Sequence, residues 1–333
     1  MYDANTIEII TIEVTSFCNA RCPQCNRFDE KNNVIVRPKH LSLDVIKKIN
    51  QDTMPNLKEV IFEGDTGDVL NHPDALDIAR SFEWVENVIF FTNASIRNPK
   101  FFESLAGLKN FSMVFSVDGL KDTNHMYRQN TNFDKIMANA QAFISAGGRA
   151  TWKFIAFEHN QHQLEQARTL SQQMGFEKFW SVHSDRSWYH GSAWPVYNKG
   201  VYKFDLKPSN VVLEQAGEKL ESDHTNLSQD ISYKEKKLKL PITCPKHEKN
   251  EVYMDYDGNI IPCCMLSQDW WNNTFNTKNL FNLLKKGGAR SINLNYHSVE
   301  EIFASDFYVS TLPQSLMQKP MPKCVHYCGK YLS

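Results

Sequence analysis

The sequence has no long apolar run, no excess of charge of either sign and no export signal. Its 333 residues carry a formal net charge of -1, which gives no electrostatic support for a nucleic-acid or anionic-membrane partner. None of its apolar runs approaches the length of a membrane-spanning helix. The first residues lack the basic and apolar segments of a secretory signal. We therefore expect a cytoplasmic protein that binds neither nucleic acid nor membrane.

Cysteine is the residue type with the most uneven distribution. The 8 cysteines fall into three groups, within 18–25, 244–264 and 324–328. In a chain of this length without an export signal, clustered cysteines indicate metal binding rather than disulfides.

Strand-like runs alternate with helical patterns in the first part of the chain. The predicted strands are Ile9–Thr15, Glu59–Phe62, Asn87–Thr92, Phe111–Val117, Ala150–Phe157 and Lys178–Val182. The predicted helices begin after the N-cap residue Ser42 and cover Pro73–Phe82, Phe133–Ile144 and Gln161–Met174. Such alternation predicts an α/β fold with parallel strands and right-handed crossovers. Its chemistry is expected in the loops at the carboxyl ends of the strands.

The chain divides into three predicted parts. Residues 1–184 form the α/β core, and residues 241–333 form a small cysteine-rich module. Residues 185–240 link these two parts. The connecting part begins with an aromatic segment, 185–204, which contains Trp188, Tyr189, His190, Trp194, Tyr197 and Tyr202. This segment either lines a substrate pocket or packs between domains, since aromatic side chains dominate interfaces generally. A strongly charged segment, Glu218–Lys239, follows and is expected to be solvated.

The first cysteine group has the spacing C-x3-C-x2-C, formed by Cys18, Cys22 and Cys25 directly after the first predicted strand. Three thiolates on one loop can ligate three irons of a [4Fe–4S] cluster and leave the fourth iron open. A cluster used only for electron transfer normally has four cysteines. The alternative is a zinc site completed by a distant ligand, for which His40 is the nearest histidine.

This loop resembles the cluster-binding loop of the radical S-adenosylmethionine (SAM) superfamily. The resemblance implies a partial (β/α)6 TIM-like barrel whose open iron chelates SAM. One electron then cleaves SAM to methionine and a 5′-deoxyadenosyl radical that abstracts hydrogen from a substrate. It also implies an electron donor of the flavodoxin or ferredoxin type. Gln24 stands where the family usually has an aromatic residue, which weakens the expected packing against adenine but not the ligation.

Polar residues at the ends of the next three predicted strands resemble the SAM-binding segments of that superfamily. The stretch Glu63–Asp68 resembles a Gly-Gly-Glu segment, Thr92–Ala94 resembles a Thr-Asn-Gly turn, and Ser116–Gly119 resembles a Ser-x-Asp-Gly segment. Arg128 on the following loop can pair with a carboxylate. The cofactor-binding residues implied are Gly64, Asp65, Thr66, Asn93, Ser116, Asp118 and Arg128. An ordinary polar turn is the alternative for Glu63–Asp68, because Gly and Asp are common in turns.

The C-terminal cysteines offer a second ligand set. Cys244 and Cys263 flank an expected hairpin turn at Tyr256–Gly258, and Cys324 and Cys328 lie near the end. Four thiolates suffice for a fully ligated auxiliary [4Fe–4S] cluster. The pattern resembles the twitch domain, a shortened SPASM module, with Cys264 as a spare thiol. A zinc ribbon built from the same four thiolates is the alternative.

Three functions remain open from the sequence. Two are radical SAM reactions, on a peptide or on a small metabolite, with the auxiliary cluster as an electron conduit. The third is an iron–sulfur or zinc regulatory protein that does not cleave SAM. No catalytic base can be assigned, since His125, His183 and His190 are single histidines in predicted loops.

Overall fold

The structure is a computed structural model that describes residues 2–29, 32–184, 193–198, 200–213, 238–267, 284 and 288–331. From the aromatic segment it includes Trp194, Tyr197 and Tyr202. Trp188, Tyr189 and His190 lie outside the described residues, as does most of the charged segment.

An eight-stranded sheet forms the centre of the molecule, with the strand order β11-β10-β1-β2-β3-β4-β5-β6. All strands from β10 to β6 run parallel, and β11 is antiparallel to β10. This confirms the predicted α/β class and its parallel sheet, and is consistent with a partial TIM-like barrel. The strands are β1 (Ile9–Ile12), β2 (Glu59–Phe62), β3 (Asn87–Thr92), β4 (Phe111–Ser116), β5 (Arg149–Ala156), β6 (Lys178–His183), β7 (Trp194–Asn198), β8 (Val201–Leu206), β9 (Leu238–Lys239), β10 (Glu251–Met254), β11 (Ile260–Ile261) and β12 (Lys330–Tyr331).

Helices connect the parallel strands, and their ends follow the local sequence. The Ser42 hydroxyl accepts from the Asp44 amide and caps the first helix, as predicted. A helix not predicted from the sequence begins at Pro99, where the Asn98 side chain caps it. The helices are α1 (Leu43–Ile46), α2 (Ala75–Arg80), α3 (Pro99–Ala106), α4 (Asn124–Tyr127), α5 (Phe133–Ser145), α6 (Leu164–Met174), α7 (Pro245–Glu248), α8 (Cys264–Ser267), α9 (Val299–Phe303), α10 (Leu312–Gln318) and α11 (Pro322–Cys328).

The two faces of the sheet differ in burial. Along β3, Val88, Phe90 and Thr92 are fully buried, whereas Ile89 and Phe91 between them are only partly buried. Because side chains alternate along a strand, the buried set packs under the helices and the other set lines the inner face. Polar residues on that inner face are therefore accessible to a ligand.

The C-terminal cysteine-rich part is joined to the sheet by hydrogen bonds. Strand β10 pairs in parallel with β1, in the register Ile9 to Glu251 and Ile12 to Met254. The buried core is continuous from the barrel into this part and includes Tyr308. The predicted boundary at residue 241 stays a prediction, but the hairpin of β10 and β11 extends the barrel sheet itself.

The hairpin of β7 and β8 packs on the first cysteine loop. Val196 and Leu206 are buried in a small apolar cluster that includes Cys22, Tyr127 and Phe157. The described part of the aromatic segment therefore covers the cysteine loop on one side. No helix within the described ranges is long and apolar enough to cross a membrane.

Candidate functional site

A compact turn carries the three N-terminal cysteines. The Cys25 amide donates to the carbonyl oxygens of Cys22, at 3.2 Å, and Pro23, at 2.7 Å. The guanidinium group of Arg27 donates to the carbonyl oxygens of Cys18, at 3.0 Å, and Ala20, at 3.1 Å. These bonds fix the backbone of the loop that carries the three thiols after β1.

Each of the three thiols meets a polar group from a different part of the barrel. The Asn93 Nδ2 atom lies 3.6 Å from the sulfur of Cys18. One Nη atom of Arg128 lies 3.8 Å from the sulfur of Cys22. The Cys25 thiol donates to the carbonyl oxygen of Asp65 at 3.8 Å. The structure thus brings three of the residues predicted to bind the cofactor into contact with the three predicted metal ligands.

A buried carboxylate that sequence reasoning missed sets the position of Asn93. Asp68 accepts from the Asn93 amide at 2.8 Å, from its Nδ2 atom at 2.6 Å and from the Thr92 hydroxyl at 3.0 Å. Burial raises the pKa of Asp68, and these donors oppose that rise. Asp68 therefore ties the loop after β2 to the end of β3 and aims the Asn93 amide at Cys18.

Asp118 and Arg128 form a second fixed unit. The Arg128 Nε atom lies 2.5 Å from Asp118 Oδ2, and the Ile155 amide donates to the other carboxylate oxygen at 2.6 Å. Asp118 is fully buried, and the Arg128 side chain is 15% exposed. Burial raises the pKa of Asp118, and the charge of Arg128 opposes that rise. The ion pair fixes Arg128 beside Cys22, so this arginine is not an ordinary solvated one.

The loop after β2 is anchored from below by Glu13, another residue that sequence reasoning missed. One Glu13 oxygen accepts from the amide and the hydroxyl of Thr66, each at 2.5 Å, and the other accepts from the Tyr253 hydroxyl at 2.9 Å. Thr66 is fully buried, so its hydroxyl points at Glu13 rather than at the cysteine loop. A Cβ atom on Gly64 would lie 2.8 Å from a Glu13 oxygen. Gly64 is therefore required for packing on Glu13.

Ser116 and Gln24, two further residues noted in the sequence, are both buried but differ in their hydrogen bonding. Ser116 is 8% exposed at the end of β4, and within the described part of the chain its hydroxyl makes no hydrogen bond. Gln24, the unusual residue of the cysteine motif, is buried and accepts from the Ser184 hydroxyl at 2.9 Å. This bond ties the cysteine loop to the segment after β6, which explains a polar residue at that position.

Burial raises the pKa of two of the three thiols in the loop. It raises the pKa of Cys22 to about 11, although the nearby Arg128 charge lowers it, and it also raises the pKa of Cys18. Thiols of this kind are protonated at neutral pH, so metal binding must release their protons. Among the described residues, no three cysteine, histidine or acidic groups already stand at metal-ligand spacing. The loop still fits a soft metal centre, since it presents three thiols and no competing carboxylate ligand.

Four of the five C-terminal cysteines line one small cavity that is partly open to solvent. Its other walls are mainly apolar, and the Tyr2 hydroxyl lies 3.9 Å from the sulfur of Cys244. Cys264 is not part of the lining. The four thiols that line this cavity are Cys244, Cys263, Cys324 and Cys328.

Comparisons with known proteins found one matching family model and several solved structures of similar fold. Residues 12–166 match the family model of the radical SAM superfamily. The crystal structure of Streptococcus suis SuiB is 15% identical with a TM-score of 0.56, over 81% of this chain and 67% of that one. The structure of SuiB bound to S-adenosylmethionine is 14% identical with a TM-score of 0.55, over 89% and 77%.

A third solved structure, anSMEcpe with bound AdoMet and Cp18Cys peptide, is 12% identical with a TM-score of 0.51, over 93% of this chain and 84% of that one. At these identities the likeness shows a shared fold. A search of the curated proteins found no match.

The position of Glu13 generates a prediction about pH. Burial and the nearby Asp65 charge raise the pKa of Glu13 to about 8, against 4.5 for an ordinary glutamate. The folded chain therefore holds this proton more tightly than the unfolded chain, so its contribution to stability is full below about pH 4.5 and falls as the pH rises to about 8. We expect the free energy of unfolding of the wild type, relative to Glu13→Gln, to decrease over that interval.

Urea unfolding at pH 5 to 9 under anaerobic conditions measures this difference. Glu8→Gln is the matched control, because Lys58 lowers the pKa of the exposed Glu8. The contribution of Glu8 is therefore lost only as the pH falls through its lowered pKa, so it stays constant from pH 5 to 9. A wild-type advantage over Glu13→Gln that stays constant with pH contradicts the assignment.

Proposed function

We propose that this protein, whose barrel matches the radical SAM superfamily, cleaves SAM at the turn formed by Cys18, Cys22 and Cys25. The family match and the SAM-bound structural neighbours support a radical SAM enzyme that uses a [4Fe–4S] cluster and SAM. The observation that carries the proposal is the contact of each thiol with a different polar group, from Asn93, Arg128 and Asp65. A three-thiol seat surrounded by fixed polar groups suits a metal centre that also binds a small polar ligand.

A [4Fe–4S] cluster held by Cys18, Cys22 and Cys25 would supply the electron for the cleavage of SAM and so the chemistry for removing hydrogen from a substrate. The residues of this chain position the ligand. Arg128, held by Asp118, offers a fixed positive charge for a carboxylate, and the Ser116 hydroxyl offers a hydrogen bond. The β7–β8 hairpin packs on the cysteine loop and limits the access of water.

We further propose that Cys244, Cys263, Cys324 and Cys328 hold an auxiliary [4Fe–4S] cluster in a twitch-like module. Their common cavity supports this ligand set, and it leaves Cys264 outside. Four thiolates fill the ligand positions of such a cluster, so its role is electron transfer rather than substrate binding. An electron conduit of this type suits a reaction in which the substrate is oxidised.

The substrate class that we propose is a peptide or a small metabolite. One structural neighbour is Streptococcus suis SuiB bound to precursor peptide SuiA, and another is anSMEcpe with a bound peptide. These complexes make a peptide a reasonable first substrate to test. A flavodoxin- or ferredoxin-type protein is the proposed electron donor.

SAM cleavage tests the proposed reaction. The reconstituted wild type, reduced with dithionite, is expected to form 5′-deoxyadenosine, and the variant with Cys18, Cys22 and Cys25 all changed to Ala is expected to lose this activity entirely. Liquid chromatography with mass spectrometry measures the product. Cys264→Ala is the control, since Cys264 lies outside both proposed ligand sets, and it should retain the activity. A wild type that binds iron or zinc but forms no 5′-deoxyadenosine would instead favour a regulatory protein.

Iron quantitation and Mössbauer spectroscopy test the auxiliary cluster. The anaerobically reconstituted wild type should contain two clusters, and the variant Cys324→Ala/Cys328→Ala should contain one. Equal iron content and identical spectra for the two proteins would contradict the second cluster. Stoichiometric zinc that is lost in the same variant would assign the cavity to a zinc ribbon.

A further inference from the structure

Lys153 extends from β5 over the inner face of the barrel. It is a half-buried position in a strand whose alternate residues, such as Trp152 and Phe154, are fully buried. In the sheet register it lies beside Ser116 of β4 and Trp180 of β6. Its side chain is 18% exposed. A lysine at this place puts a positive charge close to the predicted SAM contacts without being one of them.

Aromatic rings flank the ammonium group on two sides. The Nζ atom lies 5.2 Å from the ring centroid of Phe91 and 4.9 Å from that of Trp180. Trp180 is 37% exposed although it is a large apolar residue within the sheet. Aromatic faces stabilise a cation at these distances and also present flat apolar surface to a ligand.

The acidic partner of Lys153 satisfies only part of its hydrogen-bonding capacity. The Nζ atom lies 3.4 Å from Glu63 Oε1, and the Glu63 side chain is 47% exposed. That distance is longer than a well-formed charged hydrogen bond, and an ammonium group has three donors. An ion pair with a half-exposed carboxylate such as Glu63 contributes little to the stability of the fold. The ammonium group can therefore donate a hydrogen bond to a second anionic group without losing a short one.

We propose that Lys153 binds a carboxylate group of the substrate, whose apolar part lies against Phe91 and Trp180. The inference deepens the proposed function and rests on it for the identity of this site as a substrate pocket. Its position on the inner face, next to Ser116, places a bound carboxylate beside the reacting end of the barrel.

Fluorine NMR with 4-fluorobenzoate as the probe tests this site on the reconstituted full-length protein. We expect line broadening that reports binding by the wild type, and at least about tenfold weaker binding by Lys153→Met, which removes the charge but keeps an unbranched apolar chain. Lys153→Arg should retain binding because it keeps the charge. Lys178→Met on the exposed start of β6 is the matched control and should bind as the wild type does. The neutral 4-fluorobenzamide should bind more weakly than the carboxylate.

Equal binding of the probe by the wild type and Lys153→Met would overturn the inference, as would equal binding of the amide. Absence of probe binding by the wild type would also overturn it. Displacement of the probe by SAM would assign the lysine to SAM instead, and retained binding at saturating SAM supports the substrate site. Probe binding by a wild type that forms no 5′-deoxyadenosine would overturn the proposed reaction but leave the carboxylate site standing.

Discussion

Strand β1 pairs in parallel with β2 on one side and with β10 on the other, and both thiol sites depend on this pairing. The carboxyl ends of neighbouring parallel strands lie at the same edge of a sheet. The cysteine loop after β1 therefore lies beside the loop that carries Asp65. Strand β11 returns antiparallel to β10, so Cys263 after it lies toward the opposite edge of the same sheet. One sheet thus holds the proposed SAM-cleaving site and the proposed auxiliary site in a fixed relation.

Buried carboxyl groups position the side chains that surround the cysteine loop. Asp68 directs Asn93 to Cys18, Asp118 directs Arg128 to Cys22, and Glu13 supports the loop that contacts Cys25. Each of these carboxyl groups accepts several hydrogen bonds, which oppose the free-energy cost of burying it. Glu13 also accepts from Tyr253 of β10, so the same group links the barrel loop with the C-terminal part. The positions of the three thiols are thereby determined by the barrel rather than by the loop alone.

The sequence predicted the fold well because local signals agree with it. The runs Glu59–Phe62 and Asn87–Thr92 are strands over those same residues, since β-branched and aromatic residues suit a sheet covered by helices. Contacts between distant segments were not predictable in this way. Glu13 lies in an apolar strand run, and its partner Tyr253 is 240 residues away. Lys153 was likewise overlooked, because alternation along a strand does not reveal which rings flank its ammonium group.

Electron–nuclear double resonance of the reduced protein with SAM labelled with nitrogen-15 at its amino group tests the central claim most directly. A three-thiol cluster with one open iron predicts a strong hyperfine coupling from a direct bond between iron and the labelled nitrogen. The coupling should be present in the variant Cys324→Ala/Cys328→Ala, which keeps only the N-terminal ligand set. A reduced cluster that shows no coupling to the label, in protein that binds SAM, would contradict the assignment of Cys18, Cys22 and Cys25 to a SAM-binding cluster.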